Sequence, residues 1–223
     1  MRHRLLGALL ATTPAFLPAA AEPWRDGFVS RIEALALIQT LNASLLASRS
    51  ATATLEKWCA DHKMSAEPKI VARRIGGDEK QPSAETRQRL EVDEKEPVKY
   101  RRVQLACGDH VLSEADNWYV PGRLSGEMNR ALETTDTPFG KAIAPLQPFR
   151  RAMEMKMRWS PLPEGWEISA NAAPEKKRGA LSIPHDLFEH TAVVYARDQR
   201  PLSEVHETYT REILDFPEPA PRE

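Results

Sequence analysis

The sequence predicts an α+β fold, a single domain in which helices pack on one antiparallel β-sheet. Three observations lead there. Apolar residues in the first quarter recur at helical spacing. The middle and the end of the chain carry strand-like runs punctuated by turn residues. The helices precede and interrupt the hairpins instead of alternating regularly with strands, and no internal repeat is present.

Ile32, Leu35, Ile38, Leu41, Leu45 and Leu46 predict a helix over 28–46. Ser50 is placed to cap a second helix that carries Leu55, Trp58 and Cys59 to about residue 62. Residues 69–75 read as a short strand ended by Gly76-Gly77, and 78–97 as a polar connection with a short helix over 85–90. A strand over 98–105 meets Gly108-Asp109, a turn signal that predicts a hairpin to 111–120. Ser125 and Glu127 open a helix, Thr137-Pro138 opens a shorter one, and a strand is expected over 153–157. Residues 172–184 form a second polar excursion. Two further strands, 187–195 and 201–209, close the domain with 210–216.

The amino-terminal segment reads as a secretory signal over 1–21. It has a basic start (Arg2, His3, Arg4), an uncharged apolar stretch and three small residues, Ala19 to Ala21. A membrane span needs about 20 apolar residues, and this run is shorter and holds Pro14 and Pro18. The alternative is an uncleaved anchor; after cleavage no stable membrane span is expected. The domain is then expected over 22–216 with a frayed tail over 217–223, in the periplasm or secreted. The full chain has 223 residues and a formal charge of -1, and losing Arg2 and Arg4 leaves about -3. That balance provides no global field for holding DNA or an acidic membrane, so no nucleic-acid partner is expected. In an oxidising compartment Cys59 and Cys107 are candidate disulfide partners, the alternative being two buried thiols that never meet. The histidines are scattered and no metal-ligand spacing occurs.

No standard nucleophile, phosphate-loop or zinc-protease motif is present. The candidate chemistry is softer. Arg101 and Arg102 are consecutive on a strand and must face opposite ways. An inward arginine is costly unless it meets an anion, and its fork suits a carboxylate; the alternative is two exposed arginines. Glu114, Asp116 and Asn117 read as paired carboxylates with an amide or as an exposed face. Glu204 and His206 share one strand face and Glu207 takes the other, unless the strand is a charged edge.

In order along the chain, several pieces resemble the chorismate pyruvate-lyase family and the wider fold group that includes the UTRA ligand-sensing domains. These are Ser50-Ala-Thr-Ala-Thr-Leu-Glu56, Arg102-Val-Gln-Leu-Ala-Cys107-Gly-Asp109, Tyr119-Val120-Pro121 and Leu124-Ser125-Gly126. Thr137-Pro138-Phe139-Gly140-Lys141, Pro201-Leu202 and Glu207-Thr-Tyr209 follow. The resemblance implies a chorismate lyase-like fold with an enclosed pocket. It implies that Arg102 holds a substrate carboxylate and Glu207 contacts the ring-hydroxyl region, although counting from Pro201 alone reaches His206. Phe139, Gly140, Asp116 and Asn117 join them as substrate-binding candidates. The implied reaction eliminates pyruvate from chorismate, leaves 4-hydroxybenzoate and uses no metal or organic cofactor.

Three readings remain open. One is an exported lyase, and another is an exported binding protein using the same pocket for a small aromatic or carboxylate ligand. The third is a structural protein in which an arginine is locked permanently to a carboxylate. No helix-turn-helix segment precedes the domain, so a transcription regulator is not expected.

Overall fold

In a computed structural model, which describes residues 24–168 and 179–216, α1 (Phe28–Ala47) and α2 (Ala51–Asp61) lead into β1 (Ile70–Arg74). The short α3 (Ala84–Arg89) precedes the hairpin β2 (Lys99–Cys107) and β3 (His110–Tyr119). Then come α4 (Gly126–Thr134), α5 (Phe139–Ala142), β4 (Phe149–Met157), β5 (Asp186–Tyr195) and β6 (Pro201–Thr210). The strands form one antiparallel sheet in the order β1-β2-β3-β6-β5-β4. This is the α+β architecture expected from the sequence. The signal segment, the 217–223 tail and most of the second polar excursion lie outside the described residues.

Local chemistry explains the elements. Ser50 Oγ accepts from the Ala53 N–H at 3.3 Å and starts α2. Ser83 and Ser125 cap α3 and α4 in the same way. Gly108 has φ +56° in the two-residue β2–β3 turn, and a Cβ there would lie 3.1 Å from Ser65 Oγ. Glycine therefore supplies both the backbone conformation and the close approach.

The paired residues of the sheet share faces, and this sorts its chemistry. Arg101 pairs with Asn117, Asn117 with Val205 and Val205 with Ala192. On that face α1 and α2 bury Ile38, Leu41, Leu45 and Leu55 against Leu105, Phe188 and Tyr209. Each such aliphatic side chain contributes about 2 kcal/mol of burial. Two indoles clamp the turn Arg211–Leu214: Trp24 Nε1 donates to Leu214 O and Trp58 Nε1 to Ile213 O, both at 2.9 Å. Cys59 and Cys107 form a disulfide between α2 and β2. Among the described residues no helix is long and apolar enough to cross a membrane.

The opposite face is more polar. There α3 is pinned by buried Glu204, whose Oε1 accepts from Thr86 Oγ1 and Arg89 Nη1, each at 3.1 Å. Strand β6, expected as a possible charged edge, is central; pairing on both sides explains how it tolerates buried Glu204 and Glu207. Strand β4 also begins earlier than expected, at Phe149, which places Arg150 in the sheet.

Candidate functional site

A cavity of about 280 Å³ lies between the helix-covered face of the sheet and a roof made by the start of α2, α5 and the segment leading to β4. Its floor is apolar: Val103 and Leu105 from β2, Ala115 from β3, Val205 from β6 and Val194 from β5. Its roof includes Ser50, Ala51, Thr52, Phe139 and Gly140. The N–H groups of Ala51 and Thr52, at the first two positions of α2, have no intrahelical acceptor and carry the positive end of the helix dipole. Gly140 does not serve by lack of room, since a Cβ there would sit 3.7 Å from the Ser50 and Thr52 hydroxyl oxygens.

Polar groups enter this apolar space at three points. Arg101, 7 % exposed, reaches in from β2, and its Nη2 donates to Thr137 O at 3.1 Å and weakly to Thr135 O at 3.4 Å. No carboxylate among the described residues lies within ion-pairing distance of it, and its buried Nε has no partner there. Burial, with Arg74 nearby, lowers its affinity for the proton, yet a guanidinium stays charged. Asn117 lies beside it across the β2–β3 ladder, buried, with Oδ1 unpartnered.

The third point is an ion pair. Arg150 Nη2 meets Glu207 Oε2 at 2.6 Å, with side chains 4 % and 5 % exposed. Tyr209 OH donates to the same Glu207 oxygen at 3.0 Å. Burial alone would ease the proton off Arg150, but Glu207 beside it raises its pKa. Arg150 Nη1 is buried without a partner. Beneath the pair, His190 Nε2 lies 2.8 Å from Asn42 Oδ1 while Nδ1 has no partner. Burial, then the Arg150 charge, pushes the pKa of His190 down to about 4. The ring is therefore neutral at pH 7 and donates from Nε2 to Asn42.

The residues expected at the site separate by face. Glu207, Asn117, Phe139 and Gly140 line the cavity. Arg102 does not: it lies on the other face, 43 % exposed at its side chain, with Nη2 3.3 Å from Glu114 Oε2. Asp116 lies on that face too, paired with Lys80 and accepting from Tyr100 OH. Burial would raise its pKa, but the Lys80 and Tyr100 hydrogen bonds override that and lower it. The inward arginine is Arg101, because the register places it with Val103 and Leu105. That parity was readable: Arg101, Val103 and Leu105 alternate with Arg102 and Gln104. Arg150 was missed because its strand was expected to begin too late. Among the described residues no group of three His, Cys, Asp or Glu side chains is placed to hold a metal.

No protein-family model matches the chain. Among solved structures, it is similar to PhnF from Mycobacterium smegmatis, with TM-score 0.47 and 12 % identity over 92 % of this chain and 94 % of that one. It is also similar to the effector domain of PhnF, with TM-score 0.44 and 13 % identity over 73 % and 89 % of the two chains. A GntR-family transcriptional regulator from Enterococcus faecalis gives TM-score 0.40 and 13 % identity over 68 % and 99 %. The exclusion of nucleic-acid partners drawn from charge balance is corrected: a balanced net charge averages over the whole chain and does not exclude a local basic surface, and the similar structures include a transcriptional regulator. One sequence relative, "Uncharacterized protein y4mC" of Sinorhizobium fredii, is 48 % identical over 202 residues, which is 90 % of this chain and 85 % of the relative. The chain belongs to the family of that protein.

Proposed function

We propose that the protein binds a small aromatic carboxylate in the cavity between the sheet and the start of α2, without needing to transform it. The supporting observation is the set of buried, unpartnered polar atoms around one apolar space: Arg101 Nε, Asn117 Oδ1 and Arg150 Nη1. Each such orphan costs about 1–3 kcal/mol. A carboxylate against Arg101 and the α2 amides would recover that cost at Arg101 Nε and neutralise a buried charge, whereas Asn117 Oδ1, an acceptor, needs a donor. The apolar floor suits a ring, and Arg150 with Glu207 can meet a hydroxyl at its far end. Export of the mature chain from Glu22 belongs to the same reading; the Cys59–Cys107 disulfide supports an oxidising compartment.

The test is a thermal-shift series that pairs aromatic carboxylates with their neutral amides. 4-Hydroxybenzoate is expected to raise Tm, and 4-hydroxybenzamide to leave it unchanged. Equal effects of acid and amide would remove the carboxylate from the reading. Pyruvate elimination from chorismate is a second reading, favoured by Glu207 and Arg101 lining one cavity. Formation of 4-hydroxybenzoate and pyruvate by the purified protein would establish it, and a folded protein giving neither would exclude it.

A further inference from the structure

A second recess of about 420 Å³ adjoins the cavity and shares Arg49 and Arg150 with it. Arg197, Phe149, Gln199 and Ser48 also line it, and no carboxylate does. Apart from Arg150, which Glu207 pairs, its arginines are held without being neutralised. Arg197 Nη1 donates to Gln147 Oε1 at 3.2 Å, and Arg151, which flanks the recess, donates to Gln199 Oε1 at 2.6 Å. The Arg49 and Arg151 guanidinium carbons lie 5.8 and 5.2 Å from the Phe149 ring centroid, and Arg151 lies 4.9 Å from that of Tyr195. Amides and ring faces thus orient three cations while leaving their charge intact. Among the described residues none of the three makes an ion pair.

Taken together, the residues lining the two spaces present four arginines against the single acid Glu207, in a chain whose formal charge is -1. The carboxyl end of α1 borders the recess, but a helix end supplies only about half a negative charge. That is small against three unneutralised guanidiniums. The side chain of Arg150 adds an inner wall that is 4 % exposed and has an unpartnered Nη1. A guanidinium fork matches the oxygens of a phosphate in paired hydrogen bonds, and several forks suit a multiply charged group best.

We propose that this recess is a second anion site, formed by Arg49 and Arg197 around Arg150 with Arg151 at its edge against Gln199 and Phe149, for a phosphate or diphosphate group on the ligand whose carboxylate enters the inner cavity. The proposal rests on the cavity reading above for the carboxylate end only. The test is calorimetric titration of the full mature chain with inorganic pyrophosphate at fixed ionic strength, with and without saturating benzoate. One pyrophosphate is expected to bind beside benzoate. In the exposed-residue double variant Arg151→Gln/Arg197→Gln its affinity is expected to fall at least about ten-fold, at unchanged Tm. Lys156→Gln removes one positive charge from the same strand away from the recess and is expected to leave pyrophosphate binding as it was. Absence of pyrophosphate binding, an undiminished affinity in the double variant, or an equal loss in Lys156→Gln would overturn the second site. Failure of benzoate with arginine-dependent pyrophosphate binding retained would overturn the carboxylate reading and support the outer site.

Discussion

Arg101 brings a charge into a largely dry site without a counter-ion, and this has a consequence for stability as well as for binding. Removing a buried unpaired charge takes away a desolvation cost, at the loss of one good backbone hydrogen bond. Arg101→Met is therefore expected to leave the unliganded protein as stable as before or up to about 2 kcal/mol more so, measured by urea unfolding. Glu207 behaves oppositely. Glu207→Gln would strand the charge of Arg150 against a neutral amide and is expected to cost about 3–5 kcal/mol in the same measurement. His190 gives a pH signature. Its folded pKa of about 4 lies below its ordinary 6.5, so the unfolded chain takes up the proton first. The stability it permits is complete above about pH 6.5 and falls with pH towards 4, by on the order of 3 kcal/mol. His190→Leu is expected to flatten that part of the stability–pH curve; an unchanged slope would assign it to other groups.

At the scale of elements, most of the secondary structure was legible because its signals are local. Helical spacing marked α1, Ser50 marked the start of α2, and Gly108-Asp109 marked the hairpin that sets β2 against β3. The orientation of the paired arginines was less legible. It depends on which parity the register turns inward, and the motif resemblance pointed to Arg102 where the apolar alternation pointed to Arg101. Arg49, between α1 and α2, and Arg150, in β4, enter the site from positions 101 residues apart (150 minus 49), a convergence that no local spacing encodes. The disulfide joins the element that roofs the cavity to a strand that floors it, across a sequence separation of 48. Closing a loop of that length contributes about 4 kcal/mol. Cys59→Ala/Cys107→Ala is expected to lose about that much in denaturant unfolding, and a loss under 1 kcal/mol would show that packing alone holds α2.

For the whole molecule, the sheet order and the sharing of its faces turn scattered residues into one site: β2, β3, β5, β6 and β4 each contribute side chains to the cavity, and α2 and α5 cover it. The amino-terminal segment bears on where this happens. Fused to alkaline phosphatase, residues 1–30 are expected to give activity outside the cytoplasm, with the mature protein beginning at Glu22; an intact amino terminus and a silent reporter would contradict export. The measurement that bears most directly on ligand binding is calorimetric titration of 4-hydroxybenzoate into the wild-type protein and Arg101→Met. Saturable binding to one site, weakened about 100-fold or more in the variant with no fall in Tm, is the predicted result. No binding to the wild type, or equal binding to both proteins, would contradict it.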